Sequence, residues 1–155
     1  MTETQHVKLV FECNIGEIDK DGQDEYRIET MWAIPIGKSF KLDNVPFYAM
    51  GVSHGDIVSA EKEDGRFHFK KVLKRAGNIT VRIYLSEKKA VRETCKELQA
   101  MGCSVEISDI PELIAVDMSP KIFYKDVLGY IDDGVAKEKW IYEEACLGFE
   151  EDKEE

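Results

Sequence analysis

The segment Ser53-His54-Gly55-Asp56 holds the residues of this chain best suited to chemistry. An imidazole and a carboxylate two positions apart in a glycine-containing turn can orient a proton-transfer group or contribute two ligands to a metal. The same pattern suits a plain turn, in which Asp56 accepts hydrogen bonds from backbone amides and Gly55 adopts a positive φ. Two ligands do not complete a metal site, and the spacing indicates no third. We therefore predict no metal, no cofactor and no catalytic residue.

The remaining histidines, acids and cysteines of the sequence are weak candidates for a chemical role. His6 begins a predicted strand and His68 lies within one, so both are predicted to be surface residues. Glu143 and Glu144 cannot share one site, because adjacent residues of a strand point to opposite faces. Phosphate-loop, zinc-protease and nucleophile-elbow motifs are absent from the sequence. Four cysteines lie in apolar patterns without a C-x-x-C pair and are predicted to be buried thiols: Cys13, Cys95, Cys103 and Cys146.

Aromatic and basic side chains supply the remaining candidate binding residues. Trp32, Phe47 and Tyr48 could form a contact patch, because aromatic residues are enriched in interface hot spots. Core packing is the alternative for Trp32 and Phe47. Arg75 ends a basic cluster, and Arg82 follows one strand later. These arginines could bind an anionic ligand or an acidic helix, or could pair with neighbouring carboxylates.

The charge of the chain indicates which partners it can take. The 155 residues are 43% hydrophobic and carry a formal net charge of −10, of which the run 150–155 contributes −4. An acidic surface disfavours nucleic acid and anionic membranes and suits a basic protein partner, although solubility alone is the plain alternative. No apolar run approaches the ~18 residues of a membrane span, and no signal-peptide pattern is present, so we predict a cytoplasmic protein with reduced thiols.

Alternating apolar and polar residues predict about five short strands in residues 6–76. Asp64-Gly65 is a strong signal for a two-residue hairpin turn. An irregular stretch, residues 43–56, interrupts the pattern. We expect a small β-barrel-like subdomain here, because closure removes exposed strand edges.

Residues 78–147 change character and predict strand, helix, strand, strand, helix, strand, the order of a ferredoxin-like βαββαβ subdomain. Ser86 is the predicted N-cap of the first helix, Ser119-Pro120 the predicted start of the second, and Gly134 its predicted end. Residues 148–155 are predicted to be a disordered acidic tail. The expected fold class is α+β, with the barrel-like half packed on the ferredoxin-like half because the linker is short.

Four runs of the sequence resemble a bacterial family of uncharacterised proteins, domain of unknown function 4265. They are WAIPIG at 32–37, LDNVPFYAMGVSHGDIV at 42–58, VLKRAGNITVR at 72–82 and YEEACL at 142–147. The resemblance covers about residues 6–147. It implies a small cytoplasmic bacterial protein, and it brings no activity, cofactor or site residue to this chain.

Three functions remain open at this point. The first is a non-enzymatic protein-binding module, for example an immunity protein that neutralises a basic, nuclease-like bacterial toxin; size and charge suggest this by analogy. The second is a small-molecule-binding or enzymatic domain with a site in the cleft between the halves, built from His54 and Asp56 with Arg75 or Arg82. The third is a structural homodimer formed through the open face of the second sheet.

Overall fold

The structure, a computed structural model, describes residues 5–148, and within them the side chains of all residues except 15 and 17. These residues form nine strands and two α-helices, and the chain divides into two compact units between Ala76 and Gly77. The α+β class is confirmed. Of the predicted tail, Gly148 lies in a turn, and residues 149–155 lie outside the described residues.

The first unit is built from strands alone. They are β1 (Val7–Ile18), β2 (Asp24–Ile36), β3 (Ser39–Leu42), β4 (Ile57–Glu63) and β5 (Arg66–Lys74). Consecutive strands pair antiparallel, and β5 pairs with β1 in parallel through Leu9–Phe67 and Val10–His68. Strand pairing therefore runs through all five strands and returns to the first.

The core of the first unit follows the two-residue period of its strands. Met31 and Ala33 of β2 are buried against residues of β1, and Phe11 stacks on Phe69 with ring centroids 4.6 Å apart. Trp32 points the opposite way and is 45% exposed. Core packing, the alternative given for Trp32, is therefore wrong.

The second unit is a four-stranded antiparallel sheet with two helices. Its elements are β6 (Ile79–Leu85), α1 (Val91–Ala100), β7 (Ser104–Ile107), β8 (Leu113–Met118), α2 (Tyr124–Ala136) and β9 (Trp140–Leu147). The strand order is β7-β8-β6-β9. Alternate residues of β6, such as Val81 and Ile83, pack in one cluster with Leu98 of α1 and Ile131 of α2. Both helices therefore cover the same face of the sheet. No helix within residues 5–148 is long and apolar enough to cross a bilayer.

The first helix does not begin at its predicted cap. A single 3-10 turn, Lys88–Ala90, precedes α1, and no side chain caps either element. The Ser86 hydroxyl instead donates a hydrogen bond to the Glu138 carbonyl at 2.9 Å, and the Ser86 amide donates to the Lys139 carbonyl at 2.8 Å. Because these contacts occupy Ser86, its prediction as an N-cap is wrong.

The second helix also differs from prediction at both ends. Ser119 closes a separate turn by accepting a hydrogen bond from the Ile122 amide at 3.0 Å, and α2 begins only at Tyr124. Gly134 does not end the helix but is buried inside it, where an added Cβ would lie 2.0 Å from the Trp140 ring. The glycine is therefore needed so that the indole can pack against the helix.

Gly134→Ala is expected to lower the free energy of unfolding by about 1–3 kcal/mol, because the methyl group must displace a buried indole. Gly129→Ala is the matched control, since it lies in the same helix and its Cβ would meet nothing within 4 Å. The control should raise stability by about 0.5–1 kcal/mol through helix propensity. Urea denaturation followed by circular dichroism measures both, and equal effects of the two variants would contradict this account of the packing.

Candidate functional site

A buried carboxylate holds the irregular segment at residues 43–56. Glu29 is 8% exposed, and its two oxygens accept hydrogen bonds from the backbone amides of Phe47 at 2.7 Å, Tyr48 at 3.1 Å and Ala49 at 2.9 Å. Bonds from amides to an ionised carboxylate are stronger than neutral ones. Glu29 thus fixes the backbone between β3 and β4, a role that the sequence did not predict.

Asp56 belongs to the turn rather than to an exposed site. It is 1% exposed and accepts hydrogen bonds from the amides of Ser53 and Ala76, each at 2.9 Å. The Nη1 atom of Arg75 lies 3.9 Å from its Oδ2 atom, and Gly55 has a φ of 88°. These contacts match the turn alternative for this motif.

The imidazole of His54 meets a different carboxylate. Its Nε2 atom lies 3.0 Å from Oδ1 of Asp43, and the Nε2 atom of His6 lies 2.7 Å from Oδ2 of the same residue. The hydrogen bond with His6 is the largest cause that holds the pKa of Asp43 below its ordinary value, burial opposes it, and the bond with His54 adds to the lowering. Within residues 5–148, no group of three or more His, Cys, Asp or Glu side chains is arranged to hold a metal ion.

Trp32 lies beside this cluster on the outer face of β2. Its ring meets His6 edge to face with centroids 6.3 Å apart, and the Lys8 Nζ atom lies 5.0 Å from the ring centroid. Its amide donates to Asn44 Oδ1, and a cavity of about 370 Å³ is bounded by His6, Trp32 and Asp43. Contacts with His6, Lys8 and Asn44 thus fix Trp32, while its ring remains accessible to solvent.

The other two predicted aromatic residues, Phe47 and Tyr48, are half-buried, and Tyr48 packs against the core of the first unit. The hydroxyl of Tyr48 accepts a hydrogen bond from Arg27 Nη1 at 3.0 Å, and the guanidinium lies 4.8 Å from the ring centroid. Arg75 donates through Nη1 to the Gly51 carbonyl at 2.9 Å. Both arginines therefore stabilise the same irregular segment.

In the second unit, polar side chains are paired within the sheet. Arg82 is 3% exposed, and its Nε atom donates to Glu143 Oε1 at 2.6 Å. Asn78 donates through Nδ2 to both oxygens of Asp117, at 3.0 and 3.1 Å, and both residues are buried. Glu144 pairs opposite a residue of the core, so the prediction that it and Glu143 face opposite sides is confirmed.

Two tyrosines and two acids form a patch between α2 and β9, which we term the tyrosine–carboxylate surface: Tyr124, Asp132, Tyr142 and Glu144. The Tyr124 hydroxyl donates to Glu144 Oε2 at 2.6 Å, and the Tyr142 hydroxyl donates to Asp132 Oδ1 at 3.3 Å. Burial, and then the bond to Glu144, raises the pKa of Tyr124. The phenol therefore remains a donor, while both acids are exposed to solvent.

A third pair of this kind joins the helices, since the Tyr130 hydroxyl donates to Glu97. The Tyr130 ring also packs on Trp140 with centroids 5.5 Å apart. A cavity of about 420 Å³ borders these three residues and the end of α2. The helical side of the second unit therefore carries phenols bonded to carboxylates on both flanks of α2.

Each of the four cysteines lies in the interior of its unit. All four are buried thiols, which confirms their prediction. Burial, and to a lesser degree the charge of Asp117, raises the pKa of Cys103 to about 11. A thiol that stays protonated at neutral pH is a weak nucleophile.

Residues 29–142 match the family described as Domain of unknown function (DUF4265). The chain belongs to the DUF4265 family. It also shares its fold with a solved structure described as a hypothetical protein from Neisseria gonorrhoeae, with a TM-score of 0.76 and 22% identity over 96% of this chain and 100% of that one. A comparison with curated proteins gives no match.

In this DUF4265 protein, Glu29→Gln should lower the free energy of unfolding by about 1–3 kcal/mol, because an amide offers one acceptor oxygen and turns its NH₂ group toward backbone donors. Hydrogen exchange should accelerate at the amides of Phe47, Tyr48 and Ala49. Glu12→Gln, an exposed change on the neighbouring strand, serves as the control. Unchanged exchange at the three amides would show that Glu29 does not hold the segment.

The lowered pKa of Asp43 makes its contribution depend on pH. Its ionised form stabilises the fold above the ordinary value of 3.8, and this contribution is lost as the pH falls through the lower pKa of the folded state. Asp43→Asn should therefore reduce the melting temperature at neutral pH and converge with the wild type in strong acid. Asp21→Asn, in the exposed β1–β2 loop, is the control. A difference that does not vary with pH would contradict the assignment.

Proposed function

We propose that this protein is a non-enzymatic protein-binding module with a basic partner, and that the tyrosine–carboxylate surface is its contact face. The distribution of charge supports this. Residues 77–155 hold 18 of the 31 acidic and 10 of the 21 basic residues, a net charge of −8, which leaves −2 for residues 1–76. Half of the net charge of residues 77–155 comes from the run 150–155, so residues 77–149 carry −4, against −2 for residues 1–76.

The bonding within the surface is what recommends it as a contact face. Tyrosine is enriched among residues that dominate binding energy, since its ring gives a large contact area and its hydroxyl a directed bond. Here the hydroxyls of Tyr124 and Tyr142 are already bonded to Glu144 and Asp132. Side chains that are ordered before binding lose less conformational entropy when a partner arrives. The exposed carboxylates retain lone pairs that an incoming arginine or lysine can use.

Within this class, we propose an immunity protein that neutralises a basic, nuclease-like toxin. A nuclease presents cationic groups that bind phosphates, and an acidic surface complements such a cleft and speeds association. The same charge disfavours binding of nucleic acid or an anionic membrane by this chain. The contacts of Asp56 and Arg75 favour the proposal over an enzymatic site, since both residues hold the backbone of the irregular segment.

We also propose a finer description of each unit. The order β9-β6-β8-β7, with both helices on one face, supports a ferredoxin-like assignment for residues 78–147. The return of β5 to β1 supports a barrel-like assignment for residues 6–76.

The product of the gene adjacent to this one is the partner to test. The purified proteins should bind, and co-expression should relieve toxicity of that product in bacteria. The paired change Asp132→Lys and Glu144→Lys should weaken binding at least about 100-fold by isothermal titration calorimetry, because it reverses two charges at the contact face. Raising the salt concentration should weaken wild-type binding, since salt screens exposed charges.

The matched control is Glu61→Lys with Glu63→Lys, which changes net charge equally on exposed residues of the first unit. This control should bind within about threefold of the wild type, because long-range steering alone changes affinity little. Equal weakening by both pairs of changes would remove the surface from the proposal. Lack of binding to any neighbouring gene product would count against an immunity function.

A further inference from the structure

A groove with a volume of about 640 Å³ lies between α1 and β7. β7 is the edge strand of the second sheet opposite to β9. Its floor is formed by apolar residues: Val91, Cys95, Ile107 and Pro111. Its rim carries four cations: Lys88, Lys89, Arg92 and Lys96. We term this feature the basic groove. It combines a floor that favours apolar side chains with a rim that favours anions.

The rim of the groove is positively charged, whereas the chain as a whole is negatively charged. Four cations lie within nine residues of a protein whose net charge is −10. Among the described residues that line the groove, none is acidic. Lys89 lies 3.4 Å from Glu87, a pair in which both side chains are more than 60% exposed, so it is worth little. The basic groove therefore complements an acidic ligand.

The floor is partly supplied by a strand at the sheet edge. β7 pairs with β8 on one side, with Ile107 opposite Ile114. Ile114 lies in the core beneath the helices, so Ile107 points to the helical face as well, yet it is 61% exposed. An edge strand with an apolar residue beside a helix is the arrangement to which extended peptides add as a further strand.

We propose that the basic groove binds an extended, acidic segment of a partner protein, which pairs with β7 as an additional strand. Alternate side chains of an added strand point to the helical face, where apolar ones meet the floor. Acidic residues two positions before and two positions after the apolar ones lie on that same face. Their carboxylates can meet cations of the rim, because the side chains of Arg92 and Lys96 are long and flexible.

This site is separate from the tyrosine–carboxylate surface, since β7 and β9 form opposite edges of the sheet. It also differs in chemistry, because it takes an acidic segment and the other surface takes a basic one. The proposal does not depend on the immunity function.

The test uses the full chain and a fluorescent synthetic peptide of sequence EELEIEE, followed by fluorescence anisotropy. Leucine and isoleucine two positions apart share one face of the strand, and glutamates flank them. We expect saturable binding and slower hydrogen exchange at the amides of residues 104–107. The peptide KKLKIKK, which keeps the apolar pair and reverses the charge, should bind at least about tenfold more weakly.

Two variants with equal charge change locate the site. The rim variant combines Lys88→Gln, Lys89→Gln, Arg92→Gln and Lys96→Gln. It should bind EELEIEE at least about tenfold more weakly. Glutamine preserves α1 because it is a good helix former. The control should bind within about twofold of the wild type, and its changes lie in the first unit: Lys62→Gln, Lys70→Gln, Lys71→Gln and Lys74→Gln.

Three results would overturn the proposal. The first is no saturable binding of EELEIEE up to about 1 mM, where even weak complexes form. The second is equal loss of binding in the rim variant and the control, which would show general charge attraction. The third is binding without slower exchange in residues 104–107, which would exclude strand addition to β7.

Discussion

The irregular segment between β3 and β4 needs acceptors for backbone amides that no strand pairing satisfies. A buried amide without a partner costs about 1–3 kcal/mol, which exceeds the net contribution of an ordinary hydrogen bond. Glu29 accepts three hydrogen bonds from amides of the segment, and Asp56 accepts one from Ser53 within the segment and one from Ala76 after β5. His54 and Asp43 lie within the segment that these contacts hold, and Trp32 lies beside it on β2. Asp56, which looks suited to catalysis in the sequence, is therefore a support of this segment.

Features with a local cause could be predicted from the sequence, and features with a distant cause could not. Strand alternation and the opposite faces of Glu143 and Glu144 depend on neighbouring residues, and these predictions hold. The partners of Glu29 are 18 to 20 residues away, and His6 lies 37 residues from Asp43. One clue was present, since Glu29 occupies the same strand face as buried apolar residues. A polar residue at such a position needs a partner.

The predicted helix boundaries were wrong for the same reason, since each depended on a distant contact. Serine is a common N-cap residue, but the hydroxyl of Ser86 donates a hydrogen bond to the Glu138 carbonyl, in the turn before β9. Glycine often ends a helix, but Gly134 lies inside α2, where the indole of Trp140 occupies the space that a side chain would fill. The tyrosine–carboxylate surface also joins residues of different elements, so its composition is visible in the sequence only after the register of β9 is known. Propensity gives way to tertiary contacts at each of these positions.

The two tryptophans of the chain fall one in each unit, and their surroundings differ. Trp32 is 45% exposed beside an imidazole and an ammonium group, whereas Trp140 is 4% exposed and donates through Nε1 to the Ile131 carbonyl at 3.0 Å. Water-exposed indoles emit at longer wavelengths than buried ones. The intrinsic fluorescence of the unlabelled protein is thus a two-channel optical readout, in which long-wavelength emission follows the first unit and short-wavelength emission follows the second.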